Sequence, residues 1–434
     1  MNQTLFVEFV KKWFGILSKK VVEKTNDSKS ALTYLFKTML SPELSPDMKW
    51  DSVNISKSVV AADVVSMDSP LPLKKRDRIV VAQGEIPKLG MKMSKSEKLL
   101  SDIQVLKARG ATEAQIVEKI FEDVPRVISG IHERIEYMFL QALSTGMTLV
   151  PDAENVGAGI RVTFGYKDSN KFGVVKKWGN TGYEPLSDVA RVISKAAEDG
   201  NVITTIALDR HQYNLIRRSD EAKTLYAASI GNFTGNALAI PTPSTFDALV
   251  ADEYKVKFLV IDRAVRIEKD GNQQSVYPFA KDTLVLLTSE KVGKLQYGIL
   301  VEETSPVAGV EYQKVDGYIL VSKYSKNDPL REFTSSQAIV LPVIENADTT
   351  YLINTQEAQE VSNDEIEGDA TITIYDETYV KTEVISALNA AGIKVSPAIG
   401  DVKLIERINK LSDENKAKAK AAIEALTPYT PPQG

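Results

Sequence analysis

The chain has 434 residues, no cysteine, two histidines and a formal net charge of −5. Its hydrophobic share of 43% and charged share of 26% are those of a globular protein with room for two or three domains. The absence of cysteine excludes disulfides and thiolate nucleophiles, two histidines argue against a catalytic zinc centre, and the acidic balance argues against a general nucleic-acid binder.

At the N-terminus, Phe6, Phe9, Val10, Trp13, Phe14 and Ile16 are interleaved with Lys and Glu. That spacing predicts an amphipathic helix, and docking on protein is expected over lipid binding, since one short helix holds lipid weakly. No apolar run is long enough to cross a membrane, and the first residues lack the order of a signal peptide. The stretch "SPELSPDMKWDSVNISKS" follows. Its two Ser-Pro steps and sparse apolar residues predict an extended arm that packs on something else.

Ile79–Val81, then Ile86 with Leu89, Met91 and Met93, predict two strands joined near Gln83-Gly84. Residues 71–109 carry ten Lys or Arg against four Asp or Glu. A solvated hairpin and an arm lying on an acidic partner surface both fit this excess. From Thr112 to Gly146 the pattern is helical. Thr112 and Gln115 stand at capping-box spacing, and Ile116, Ile120, Val124, Val127, Ile128, Ile131, Ile135, Met138, Phe139, Ala142 and Leu143 form one stripe. Pro125 should split or kink the stretch and Gly146 should stop it.

"IRVTFGYKDSNKFGVVKKW" predicts a hairpin turning at Asp168-Ser169-Asn170. Helices are predicted at Pro185–Asp199, His211–Ser229 and "PSTFDALVADE", and strands at "VITTIALD", "VKFLVID", "RAVRIEKDG", "DTLVLLTS", "LQYGILV", "GYILVSKYS" and "AIVLPVI". Their irregular alternation indicates an α+β class rather than a doubly wound sheet. Residues 345–377 then hold ten acidic residues and no basic one. Two strands, "TYLINT" and "ATITIY", and three short helices are expected in a small separate module at 346–434.

The segment "GIHERIEYMFLQALSTG" (130–146) tests for metal chemistry. A zincin helix needs H-E-x-x-H, with two His one turn apart. Here Glu136 stands where the second His would be. His132, Glu133 and Glu136 are therefore read as a solvated or neighbour-facing polar side of a structural helix, and a metal-dependent hydrolase is the minor alternative. His211, after Asp209 and Arg210, is read as a helix-capping residue. No G-x-S-x-G elbow, Walker sequence or dinucleotide fingerprint is present. No enzyme, catalytic residue, metal or cofactor is expected.

The order of segments carries a resemblance. A basic hairpin precedes a helix ending in "RIEYMFLQALSTG"; then come "VTFGYKDSNKFGVVKKW", "PLSDVARVI", "TFDALVADE" and a strand-rich return to "AIVLPVI". This resembles the major capsid proteins of tailed bacteriophages, in the lambda-like branch, over roughly residues 65–345. The resemblance implies the Hong Kong 97-type phage capsid fold: an N-terminal arm (1–65), an extended β-hairpin loop (66–98), a peripheral domain with a long spine helix (99–184 and 305–345) and an axial domain (185–304). The module at 346–434 would be an addition.

The implied function is self-assembly through pentamers and hexamers into an icosahedral head that encloses double-stranded DNA, with another virion protein, such as a minor head or adaptor component, as the alternative. The partners implied are further copies of the chain, then scaffold, portal and decoration proteins, with DNA on the inner face held without sequence specificity and no membrane. The place implied is the virion, assembled in the host bacterial cytoplasm. Lys74, Lys75, Arg76, Arg78, Lys88, Lys92 and Lys95 are the expected intersubunit cations, set to meet an acidic surface on a neighbour.

Overall fold

The computed structural model describes residues 3–25, 33–54, 80–150, 159–230, 239–269, 272–359, 371–375, 377–393 and 413–426, with 395, 404, 405, 407, 408 and 411 between them. The chain divides into two compact units, Met1–Leu186 with Lys195–Ala358, and Ser187–Ser194 with Gln359–Gly434.

The first unit opens with helix α1 (Val7–Glu23), a short α2 (Leu35–Met39) and strands β1 (Leu40–Leu44) and β2 (Lys49–Asn54). Strands β3 (Val80–Glu85) and β4 (Lys88–Lys95) follow. Then come α3 (Glu97–Ala108), α4 (Glu113–Phe121) and α5 (Asp123–Thr145). The Thr112–Gln115 capping box starts α4 as its spacing predicts. The split also falls where Pro125 requires it. Pro125 lies in the first turn of α5, where its missing N–H would have had no intrahelical partner. Gly146 ends α5 at φ 72°, the left-handed region that glycine enters without a Cβ penalty. Val124, Val127, Ile128, Ile135, Met138, Phe139, Ala142 and Leu143 are all fully buried.

After α5 come β5 (Met147–Val150), β6 (Ile160–Thr163), β7 (Lys171–Val174) and α6 (Pro185–Glu198). Next are β8 (Thr205–Asp209), α7 (Arg210–Arg218), α8 (Asp220–Ser229), α9 (Pro243–Tyr254), β9 (Lys257–Ile261), β10 (Val265–Lys269) and β11 (Asn272–Val276). The unit closes with β12 (Thr283–Leu287), β13 (Gly293–Gly298), α10 (Val301–Thr304), β14 (Glu311–Val315), β15 (Ile319–Lys326), β16 (Arg331–Ile344) and β17 (Tyr351–Ala358). The α+β class expected from the irregular alternation is the class observed.

Two sheets organise this unit. One has the path β1-β13-β16-β15-β14, with β4 also paired to β16; the other has the order β7-β17-β12-β8-β9. The spine helix α5 lies along β16, where the Ser336 hydroxyl donates to the Val127 carbonyl at 2.6 Å. At Gly293, where β13 passes β16, a Cβ would sit 2.0 Å from the Val343 carbonyl oxygen, so the close crossing requires glycine.

Three strand expectations change. The strand β3 pairs antiparallel with β2, not with β4. Trp50 of β2 covers Gly84 of β3, whose Cβ would lie 2.6 Å from the indole nitrogen, and β4 instead joins β16 from Lys95↔Glu332 to Lys88↔Ile339. Second, β6 pairs with β5 and β7 runs parallel to β17, so 160–178 is not a hairpin. Asn170 donates its amide to the Asp348 and Thr350 carbonyls, which draws β7 to β17. Third, "TYLINT", expected in the added module, is β17 and pairs with β12. The predicted helix 211–229 is also two helices, because Ser219 takes an extended conformation and caps α8 through the Ala222 N–H.

In the second unit, β18 (Thr371–Ile374) and β19 (Glu377–Val380) form an antiparallel pair, followed by α11 (Lys381–Ala390) and α12 (Asp413–Glu424). Ile372, Tyr379, Val384, Leu388, Leu404, Ile408 and Ile423 share one core. The strand "ATITIY" and the helical periodicity of the sequence thus build, together with β19, a module with its own apolar centre, while Ile405 is exposed.

Candidate functional site: the arm clamp on the spine helix

The polar side of α5 does not face solvent. His132 is 1% exposed and Glu136 0%, which corrects the reading of these residues as a solvated or neighbour-facing surface. What covers them is the N-terminal segment 33–37, about a hundred residues away in the chain.

Glu136 accepts the backbone N–H of Leu35 at 3.0 Å and that of Phe36 at 3.1 Å. These are first-turn donors of α2, which otherwise have no helical partner. One carboxylate of the spine thus caps the arm's helix. Beside it Glu133 accepts the Tyr34 hydroxyl at 2.9 Å and the Arg263 guanidinium at 2.7 Å. Arg263 also donates to the Thr33 carbonyl and lies over the Tyr34 ring at 4.4 Å, a cation–π contact. His132 packs edge-on to Tyr34, with ring centroids 5.3 Å apart, and its Nε2 meets Asp316 Oδ2 at 2.8 Å. Lys37 pairs with the same Asp316 oxygen.

Burial sets the protonation states. Desolvation pushes the His132 imidazole below its ordinary value even though the Asp316 carboxylate pulls it up. A neutral ring then donates from Nε2 to the carboxylate. Burial pushes Glu136 upward, against the pull of the two backbone N–H groups. Asp316 is also raised by burial, but the hydrogen bonds from His132 and Lys37 outweigh that and hold it below the usual carboxylate range. Burial, followed by the Glu133 charge, drives the Tyr34 phenol upward.

A second clamp holds the start of the chain. Glu332 accepts the Thr4 hydroxyl and the Leu5 N–H, and Ser325 donates to the Gln3 carbonyl. The counter-ion of Glu332 is Lys323, 3.7 Å away, and both side chains are 0% exposed. Lys323 also reaches the Ile120 carbonyl and Thr334 hydroxyl. Burial lowers its ammonium to about 8.

Among the described residues, no group of three His, Asp or Glu side chains is arranged to hold a metal ion. His132 is committed to Asp316, and both oxygens of Glu136 are taken by backbone. His211 does not cap α7; Asp209 does, through the Gln212 N–H. A cleft of about 250 Å³ opens there, lined in part by Asp209, His211, Arg263 and Lys281.

Of the expected intersubunit cations, Lys74, Lys75, Arg76 and Arg78 lie outside the described residues. Lys88 is half-exposed and 3.7 Å from Glu302. Lys92 is exposed, with its ammonium 5.4 Å from the Phe333 ring centroid. Lys95 is different: it is 3% exposed and ion-paired within the chain to Glu122 and Asp123, each at 2.9 Å. It ties the end of β4 to the start of α5. Sequence reasoning missed Tyr34, Lys37, Arg263 and Asp316. One local signal was present, the apolar-aromatic run "YLF" at 34–36 inside a sparse arm.

No family model matches the chain, and no curated protein matches it by sequence. Solved structures do. A protein assigned as a prophage capsid protein from E. coli CFT073 is 14% identical, with a TM-score of 0.48 over 82% of this chain and 99% of that one. A phage-related protein from Bordetella bronchiseptica RB50 is 11% identical, with a TM-score of 0.42 over 79% and 97%. The mature capsid of bacteriophage PhiM1 is 11% identical, with a TM-score of 0.39 over 76% and 89%. Each of the three is matched over most of its own length.

Proposed function

We propose that this chain is the major capsid protein of a tailed phage, which assembles through pentamers and hexamers into an icosahedral shell around double-stranded DNA. The observation that carries this reading is the β2–β3 ribbon. Its ladder runs from Lys49↔Glu85 to Asn54↔Val80, so residues 55–79 are bracketed by paired strands that belong to neither main sheet. A connection of that length costs little extra closure entropy. A ribbon that lies outside both main sheets is explained by a role as a contact surface for another copy. In this reading the arm runs to β1, the extended loop is β2–β3 with 55–79, the peripheral part is built on α5 and β16, and the axial part on the β8–β9–β12 sheet.

Further copies of the chain are then the main partner. Scaffold, portal and decoration proteins would join them in the host cytoplasm, and packaged DNA would lie against the inner face. Lys88 and Lys92, with Lys74, Lys75, Arg76 and Arg78, are the proposed cations of the contact.

The test is electron microscopy of the expressed chain beside a variant in which 55–79 is replaced by a short Gly-Ser turn. The full chain should close into particles of uniform size, alone or with a scaffold. The variant should fold, since β4 and its Lys95 tie are retained, yet form no shells. A chain that stays monomeric under every assembly condition would sink the proposal, and shells from the variant would sink the role given to the loop. A low copy number in purified particles would point instead to a minor head or adaptor protein.

A further inference from the structure

Glu332 sits where three strands of the large sheet meet. Across the ladder its partner on one side is Lys95 of β4 and on the other Ser325 of β15. Directly opposite residues share a face of the sheet. This face meets the helices, since Ser336, on the same side of β16, donates to Val127 of α5. Lys323, paired with Thr334 one step along, lies diagonal to Glu332 and reaches the Ile120 carbonyl. Lys95, Lys323, Glu332 and Asp123 are all buried. Burial acts most on the Lys323 ammonium, followed by the charges of Glu332, Lys95 and Asp123, so the four groups form one electrostatic unit.

Donors are shared unevenly within it. Lys95 is committed to α5, 2.9 Å from Asp123 and 2.9 Å from Glu122. Glu332 is satisfied instead by the start of the same chain, through the Thr4 hydroxyl and the Leu5 N–H. Lys323, at 3.7 Å, is too far to replace them without moving. If Thr4 and Leu5 withdraw, a buried carboxylate is left short of two donors, a state costly enough to force rearrangement. The cation directly opposite is Lys95. Opposed residues have Cβ atoms about 5 Å apart, which a lysine side chain spans. Its ammonium therefore has two sets of acceptors: Asp123 and Glu122 while Thr4 and Leu5 are in place, Glu332 once they are gone.

We propose that Lys95 is a two-position latch through which the docking of residues 3–6 controls how firmly β4 is held to α5. With these residues docked, Lys95 ties the end of β4 to the first turn of α5. With them withdrawn, it turns to Glu332 within its own sheet and the tie is released. Coupling between two sites needs an element with two arrangements that both sites bias, and Lys95 is that element. The latch works within one copy of the chain and does not depend on the shell reading.

The test is hydrogen exchange read by mass spectrometry on the full-length chain, in separate peptides from α1, from β4 and from residues 123–130. Thr4→Val with Leu5→Pro removes both donors to Glu332 and leaves every charge in place; Thr4→Val alone removes one and serves if the pair does not fold. The double substitution should speed exchange in α1, β4 and 123–130 by at least about tenfold, the scale of one hydrogen bond to a charged group, with a smaller rise for Thr4→Val and none in β8 or β12. In a chain that also carries Lys323→Met and Glu332→Gln, Lys95 has no second carboxylate to turn to, and the rise should be confined to α1. Faster exchange in α1 with none in β4 or 123–130 would overturn the latch. So would a rise in those peptides that persists without the Glu332 charge, or one of equal size in β8 and β12, which would mark general destabilisation. No rise anywhere would mean that Thr4 and Leu5 do not hold the segment, and the latch would fall with them.

Discussion

Replacing Glu136 by Ala removes the acceptor for two N–H groups, the part-buried one of Leu35 and the buried one of Phe36. Each orphaned donor costs about 1–3 kcal/mol, which gives about 2–6 kcal/mol for the pair. Part of this is returned, because burial disfavours the Glu136 charge in the native state and Ala has none to bury. The net expectation is a loss of about 2–4 kcal/mol, confined to the docking of 33–37. Glu136→Gln keeps one carbonyl oxygen but turns an NH₂ toward the second donor, so it should lose roughly half as much. Amide hydrogen exchange at Leu35 and Phe36 reads the opening free energy of this segment directly, apart from global unfolding. If both amides in Glu136→Ala exchange within about 0.5 kcal/mol of the parent, the change is that of an ordinary surface substitution, and the carboxylate does not clamp the arm.

Three further outcomes are expected. Lys95→Ala should destabilise the subunit by about 3–5 kcal/mol, because it strands the buried Asp123 carboxylate, whereas Lys88→Ala and Lys92→Ala should leave denaturant unfolding nearly unchanged and lower only the yield of assembly. Phe139→Ala, at a ring with 0% exposure, should cost about 3–5 kcal/mol in urea or thermal unfolding; a negligible change would mean the helix is turned otherwise. Arm docking should weaken in acid: with the arm open, His132 takes up a proton near 6.5, while in the clamp it resists one, so the opening free energy of 33–37 falls as pH drops below about 6.5. Asp316, held below 3.8, adds a later loss as pH falls through its lowered value, and Glu136 acts in the opposite sense. Exchange measured against pH should show the first step flattened in His132→Gln; an unchanged step would remove His132 as its source.

The spine helix was legible because its information is local. An apolar stripe at three-and-four spacing, a capping box and Pro125 within its first turn are properties of one stretch of chain. The partner of β3 was not legible for the opposite reason. Alternation says that Val80–Glu85 is a strand, but only Trp50 lying over Gly84, far apart in the chain, says that β2 is its neighbour. The same holds for β17, whose sequence marks a strand and whose place depends on β12. His132 and Glu136 failed in another way. A helical pattern assigns polar residues to the side away from the stripe, and nothing local to α5 reveals that Tyr34, Leu35 and Phe36 cover that side. Burial of a polar group by a distant segment is a tertiary event, and here it supplies the clamp.

The strand β16 takes part in several of the attachments described. It carries β4, the spine helix through Ser336, and the N-terminal segment through Glu332, and its far end pairs with β13. Between Lys95↔Glu332 and Lys88↔Ile339 its eight matched positions respond differently to different directions of force. A pull along the strand axis meets the whole ladder in shear, with all its hydrogen bonds sharing the load. A pull away from the sheet plane meets them one at a time, like a zip. In the proposed shell, a neighbour pulling along β4 would therefore be resisted far more strongly than one peeling it outward. If the proposed shell forms, the direction of contact, rather than its strength alone, would decide how firmly each copy holds.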